Sequence, residues 1–235
     1  MAAAALFAVS AQAELLDRTM TAAGITFQYK IVLPNGYDKA KTYPAIIAFG
    51  GGSQEMNTVA SVINRTLRSE AEKRGYLVFG PAVPDSGLFF DGDRGFEHIF
   101  PEFLDRVLAE YKIEDNKFHI AGPSNGGINA LYIASRFPRY FSSATAFPGY
   151  LSNATDENLD ALSGICVFLY VGENDEFRWH KEMDREALYL RSKGTDARYT
   201  VEAGQPHGLA TLQGPGASRL FDNFAQAKRG CNRKN

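Results

Sequence analysis

Cysteine is scarce: two residues in 235, too few for a fold held together by a disulfide framework. Histidine is nearly as scarce, and four scattered imidazoles with two distant thiols lack the spacing of a zinc site, so neither metal nor cofactor is expected. No sign of charge dominates, since 25 basic and 27 acidic side chains leave a net charge of −2. Without a basic block there is no footprint for nucleic acid. Long hydrophobic runs are missing as well. The run Ala2 to Val9 is too short for a membrane span, so no membrane partner is expected. It is followed by Ala11-Gln12-Ala13, a small-x-small pattern that suits a signal-peptidase site, although a basic segment before it is absent. Residues 1–13 are therefore read as a signal-peptide remnant, with a secreted or periplasmic protein beginning near Glu14.

What remains has ordinary globular composition, 45% hydrophobic and 22% charged, at a length suited to one α/β domain over residues 14–235. Apolar runs predict strands at Phe27 to Leu33, Ala45 to Phe49, Tyr76 to Phe79, Phe118 to Ala121, Ser143 to Phe147, Cys166 to Val171 and Arg198 to Glu202. Between them Val59, Ile63 and Leu67 recur every four residues, as do Ile99, Phe103 and Val107, which marks helices with one buried stripe. Leu220, Phe221 and Phe224 predict a last helix beyond Gly214-Pro215-Gly216. Alternation of this kind implies a mostly parallel sheet covered on both faces, with an antiparallel entry ending at Pro34-Asn35-Gly36. Cys166 falls in an apolar strand and reads as a buried thiol, though a bridge to Cys231 is open in an oxidising compartment. Asn64-Arg65-Thr66 and Asn153-Ala154-Thr155 match the short glycosylation sequon.

Ligands in open α/β sheets bind beyond the carboxyl ends of the strands. Gly122-Pro123-Ser124-Asn125-Gly126 lies there, between the strand ending at Ala121 and the helical segment Ile128 to Ala134. Strand, sharp turn and helix are the setting in which a G-x-S-x-G serine becomes an exposed nucleophile. Such a serine needs an imidazole base oriented by a carboxylate. His119 is inside a strand, while His98 and His180 fall on helices. His207 follows a late strand in Gly204-Gln205-Pro206-His207 and is the candidate base. The acid comes from Glu173-Asn174-Asp175-Glu176, where Asp175 is preferred and Glu173 and Glu176 are expected to be solvated. For the oxyanion, the backbone N–H of Asn125 is one donor, and Gly51 or Gly52 in Phe49-Gly50-Gly51-Gly52 supplies the second. No Lys-Ser/Thr follows those glycines, so a phosphate-binding loop is excluded.

The chain resembles the α/β-hydrolase superfamily, and within it the branch of feruloyl and acetylxylan esterases, polyhydroxybutyrate depolymerase-like esterases and related peptidases. The resemblance rests on Leu33-Pro34-Asn35-Gly36-Tyr37-Asp38, Tyr43-Pro44, Ser124-Asn125-Gly126-Gly127 and Val171-Gly172-Glu173-Asn174-Asp175. It implies the same Ser124, Asp175 and His207 as catalytic residues. The branch usually has a histidine where this chain has Phe49, and a tryptophan near the stretch that here reads Leu88 to Arg94. Little sequence is left for a lid, and Phe49, Phe89, Phe90, Tyr150, Phe177 and Trp179 are expected around the substrate. The expected function is a serine esterase acting on feruloyl, acetyl or other short acyl esters of plant cell-wall polysaccharide. A polyester depolymerase or serine peptidase on the same fold is the second expectation, and a non-catalytic binding protein the third. Oligomeric state is not legible.

Overall fold

The computed structural model describes residues 14–84, 87–90, 95–152 and 154–230. Ala11-Gln12-Ala13, residues 91–94, Asn153 and Cys231, all singled out above, lie outside the described residues.

Backbone pairing builds one eight-stranded sheet of order β1-β2-β4-β3-β5-β6-β7-β8. β1 (Glu14–Ala22) and β2 (Ile25–Leu33) form an antiparallel hairpin. Their link is Ala23 and Gly24, with φ of 48° and 78°, two successive left-handed residues whose twist matches that of the strands. β2 then pairs antiparallel with β4 (Leu77–Pro81). All later pairings are parallel, through β3 (Tyr43–Ala48), β5 (Ile113–Gly122), β6 (Phe141–Ala146), β7 (Cys166–Gly172) and β8 (Ala197–Glu202). The parallel sheet and its antiparallel entry are as expected, but β1 was not anticipated. Of its residues only Ala22 is buried, so a strand held by main-chain pairing at the sheet edge leaves no alternating apolar signal.

Alternation along the inner strands divides the core in two. Ile47, Phe79 and Leu169 join one cluster, while their neighbours Ile46, Val78 and Phe168 join another on the opposite face. The first cluster is covered by α3 (Phe100–Glu110), α4 (Asn125–Arg136) and α6 (His180–Ser192), through Val107, Ile133 and Leu190 among others. The second is covered by α7 (Ser218–Ala227) and by a long helical segment made of α1 (Met56–Val62), a π-helical turn Ile63–Leu67 and α2 (Arg68–Arg74). Val59, Ile63 and Leu67 are all fully buried. A strict four-residue spacing drifts around an ordinary α-helix, and the wider turn brings it back to one face. A short helix α5 (Asp156–Ala161), capped by Thr155 Oγ1 accepting from the Asn158 N–H at 3.2 Å, had no counterpart in the apolar pattern.

Cys166 is disulfide-bonded, so of the two readings its sequence allows, a buried thiol or a bridge, the second holds. No described helix is long and apolar enough to cross a membrane.

Candidate functional site

Four loops meet at the carboxyl ends of the parallel strands, and the tightest is the one carrying Ser124. Its backbone has φ 55° and ψ −127°, which a non-glycine residue holds only when its surroundings enforce it. Ser124 N–H donates to the Pro148 carbonyl at 2.7 Å, and the Ser124 carbonyl accepts from Gly127 and Ile128 at 2.8 and 3.0 Å. The flanking glycines are there because the chain crosses itself closely. A Cβ on Gly122 would lie 2.6 Å from the Gly126 carbonyl carbon, and one on Gly126 would lie 2.5 Å from the Gly50 oxygen. The turn therefore needs small residues on both sides, and it lifts the serine into a half-buried position at the start of α4.

His207 Nε2 lies 2.9 Å from Ser124 Oγ, and His207 Nδ1 lies 2.9 Å from Asp175 Oδ1. Asp175 has a fully buried side chain, and the imidazole is 14% exposed. The carboxylate also accepts from the Phe177 N–H at 3.1 Å and the Trp179 N–H at 3.3 Å. Three donors hold it in place, so it can in turn orient the imidazole with Nε2 toward the serine. Glu173 and Glu176, expected to be merely solvated, instead tie the loop after β7 to the loop after β8. Glu173 Oε2 accepts from Gly204 N–H at 2.8 Å, and Glu176 Oε2 from His207 N–H at 3.1 Å. The amides of Glu176 itself and of His207 hold the Glu176 carboxyl below its ordinary range. Gly172 completes the junction, because a Cβ there would run into the carbonyl oxygens of Gln205 and Pro206. The far side of the His207 loop is anchored by Arg219, which donates to both Glu202 oxygens at 2.8 Å and holds that carboxyl low.

The amide N–H groups of Gly51, Gly52 and Asn125 have no acceptor among the described residues. A Cβ on Gly51 would lie 3.6 Å from Ser124 Cβ, which puts the glycine loop directly against the elbow. The side chain of Asn125 clasps the two, with Nδ2 donating to the Gly52 carbonyl at 2.9 Å. Sequence reasoning used only the backbone of Asn125 and missed this bond, although an amide side chain beside three glycines is a visible signal. Ser124, His207, Gly51 and Gly52 face one opening, a cavity of about 320 Å³, an arrangement able to pair a hydroxyl with an imidazole beside unpaired amide donors. Its lining includes Gly51, Gly52, Ser124, His207, Phe147 and Leu209.

The Esterase family model ("Putative esterase") matches residues 95–229, more than half of the chain. This chain belongs to the Esterase family. Dipeptidyl-peptidase 5 of Porphyromonas gingivalis is 31% identical to it over 130 residues, which is 51% of this chain and 19% of the peptidase. Prolyl endopeptidase FAP of Mus musculus is 33% identical over 94 residues, 39% of this chain and 11% of its own. The chain thus spans a fifth or less of these longer relatives. Among solved structures, a ferulic acid esterase superposes with a TM-score of 0.69 at 17% identity, covering 93% of this chain and 98% of that one. Esterases of the fungus Rhizomucor miehei superpose at 0.71 with 15% identity, over 93% and 84% of the respective chains. With the eight-stranded sheet, these likenesses establish the α/β-hydrolase fold.

In this member of the Esterase family the aromatic residues expected around a substrate divide into two groups. Phe177 and Trp179 stand edge-on to His207, with ring centres 4.6 and 4.8 Å away, and Tyr150 packs on Trp179 at 5.1 Å. Phe177 is 60% exposed. Phe49 and Phe89 are not pocket residues. Both are fully buried, 5.4 Å apart, and pack on Phe100, where removal from water contributes roughly 1.5–3 kcal/mol per ring. Phe49 therefore holds the glycine loop through the core where the resemblance implies a histidine. Phe90 is half-buried, and neither it nor Tyr150, Phe177 or Trp179 belongs to the cavity lining; the last three gather at the His207 ring instead of in the expected pocket wall. His119 is buried against Phe224, with Nδ1 2.8 Å from Ser143 Oγ, and burial pushes its pKa down to about 3. It is a core residue.

Proposed function

We propose that this chain is a serine carboxylic-ester hydrolase that works through an acyl-enzyme, with residues 14–235 as one catalytic domain. The observation that carries the reading is the relay from Ser124 Oγ through His207 to Asp175, with both links at 2.9 Å. A neutral imidazole whose Nδ1–H donates to Asp175 leaves Nε2 free to take the Ser124 proton as Oγ attacks the ester carbonyl. Negative charge then gathers on the carbonyl oxygen, where the Asn125 N–H and the Gly51 or Gly52 N–H receive it. His207 returns the proton to the departing alcohol. A water deprotonated by the same nitrogen next releases the acid and restores the serine.

For the substrate, the exposed ring of Phe177 with Trp179 and Tyr150 beside His207 supports feruloyl or other short acyl esters, of the kind attached to plant cell-wall polysaccharide. The fold shared with a ferulic acid esterase agrees with this choice. Peptide hydrolysis by the same three residues is the second reading, favoured by the match to dipeptidyl-peptidase 5. The disulfide at Cys166 supports an exported enzyme.

Labelling by a fluorophosphonate, followed by turnover of methyl ferulate, 4-nitrophenyl acetate, aminoacyl amides and polyhydroxybutyrate, tests the proposal. Ser124 should label, Ser124→Ala should abolish both labelling and turnover while remaining folded, and the small esters should be the best substrates. An unlabelled Ser124, or full activity in folded Ser124→Ala, refutes the reading. Preferential turnover of the amides selects the peptidase alternative.

A further inference from the structure

One stripe of the helical segment α1–π–α2 forms a wall of the cavity at Ser124, and the π-helical turn contributes Arg65 to it. Among the described lining residues Arg65 is the only one with a permanent charge, and no carboxylate joins it. The rest of the wall is part apolar, from Val62, Phe147, Leu209 and Leu212, and part neutral polar, from Thr58, Ser61, Thr66 and Gln213. Arg65 differs in this from the cations further along the same helix. Arg68 is paired with Glu72, and Lys73 and Arg74 share Glu70. Three and four residues on either side of Arg65 stand Val62, Arg68, Ser61 and Ser69, none of them a carboxylate, and Glu70, five residues on, is taken by Lys73 and Arg74. No ion pair or hydrogen bond engages its guanidinium among the described residues. An unpaired guanidinium on the wall of a cavity that holds no carboxylate is a planar, five-donor receptor for an anion.

We propose that Arg65 determines specificity, and that the site takes esters carrying a carboxylate which the guanidinium binds while Ser124 faces the scissile carbonyl. The inference rests on the ester-hydrolase reading above. The carboxylate could belong to the acyl group, as in the half-ester of a dicarboxylic acid, or to the alcohol. In both cases the recognised chemistry is the same. Such a contact is weakened by salt where it is solvent-exposed.

Two matched pairs of esters test it: mono-4-nitrophenyl glutarate against 4-nitrophenyl pentanoate, and 4-carboxyphenyl acetate against 4-carbamoylphenyl acetate. Rates are corrected with Ser124→Ala, which removes the spontaneous reaction. In at least one pair kcat/KM should favour the anionic ester by about tenfold at low salt, the scale of a hydrogen-bonded charge contact. Which pair responds tells whether the carboxylate lies on the acyl or the alcohol side. Arg65→Gln should lower the anionic-to-neutral ratio by about tenfold, through KM, and Arg65→Lys should retain most of it. A ratio near one in both pairs, or a preference that survives Arg65→Gln, overturns the inference while Ser124-dependent hydrolysis of the neutral esters leaves the ester reading intact. Absence of Ser124-dependent hydrolysis of all four esters removes both.

Discussion

The Asn125 side chain donates to the Gly52 carbonyl at 2.9 Å and so joins the Ser124 turn to the glycine loop. The backbone N–H groups of these residues are the proposed oxyanion donors, and this side-chain bond bridges the two loops that carry them. Asn125→Ala keeps its own N–H but frees the loop. Turnover should drop roughly tenfold, less than the 10²–10³ lost when an oxyanion donor itself is deleted. KM should move little, and thermal stability should stay within about 0.5–1.5 kcal/mol of the parent. Steady-state kinetics with a 4-nitrophenyl ester and a melting curve provide both numbers.

Three carboxylates crowd the loop after β7, and geometry separates their roles. Only Asp175 reaches the imidazole, while Glu173 and Glu176 bind main-chain amides of the neighbouring loop. Asp175→Asn should lower kcat by about 10³–10⁴, because an amide favours the wrong imidazole tautomer. Glu173→Gln retains an acceptor for Gly204 and should cost less than tenfold, the scale of one modest hydrogen bond. If Glu173→Gln proves the more damaging of the two, Asp175 is not the orienting acid.

Glu186 on α6 is buried, and its carboxyl accepts from the Leu151 N–H at 2.8 Å. Burial pushes its pKa up to about 8, against the smaller opposing effect of that hydrogen bond. An acid whose folded pKa is raised holds its proton in the native state after the unfolded chain has released it. Its contribution is therefore fully present below the unfolded value near 4.3 and is lost as pH rises toward about 8. Glu186→Gln cannot ionise and still offers an oxygen to Leu151. The variant should melt higher than the parent at pH 8.5 and close to it at pH 4, a difference on the order of a few kcal/mol at the alkaline end. Parallel melting profiles from pH 4 to 9 would contradict this account.

Much of this protein was legible before any coordinates. Continuous apolar runs and period-four apolar patterns mark the inner strands and main helices, since burying those residues is the dominant favourable term in folding. Ser124 was legible because its turn tolerates almost nothing but glycine nearby, and His207 because it follows a strand end. β1 was illegible because main-chain pairing at an edge needs no particular side chains, and α5 because so short a helix leaves little period to count. Tertiary structure alone decided which of three neighbouring carboxylates meets His207, that Phe49 and Phe89 face the core, and that Arg65 lines the same cavity as Ser124. Contacts of this kind join residues far apart in the chain, such as Ser124 and His207, which are 83 positions apart. Local sequence sets the shape of each loop, but distances between loops follow from how strands and helices pack, and that packing is a property of the whole core.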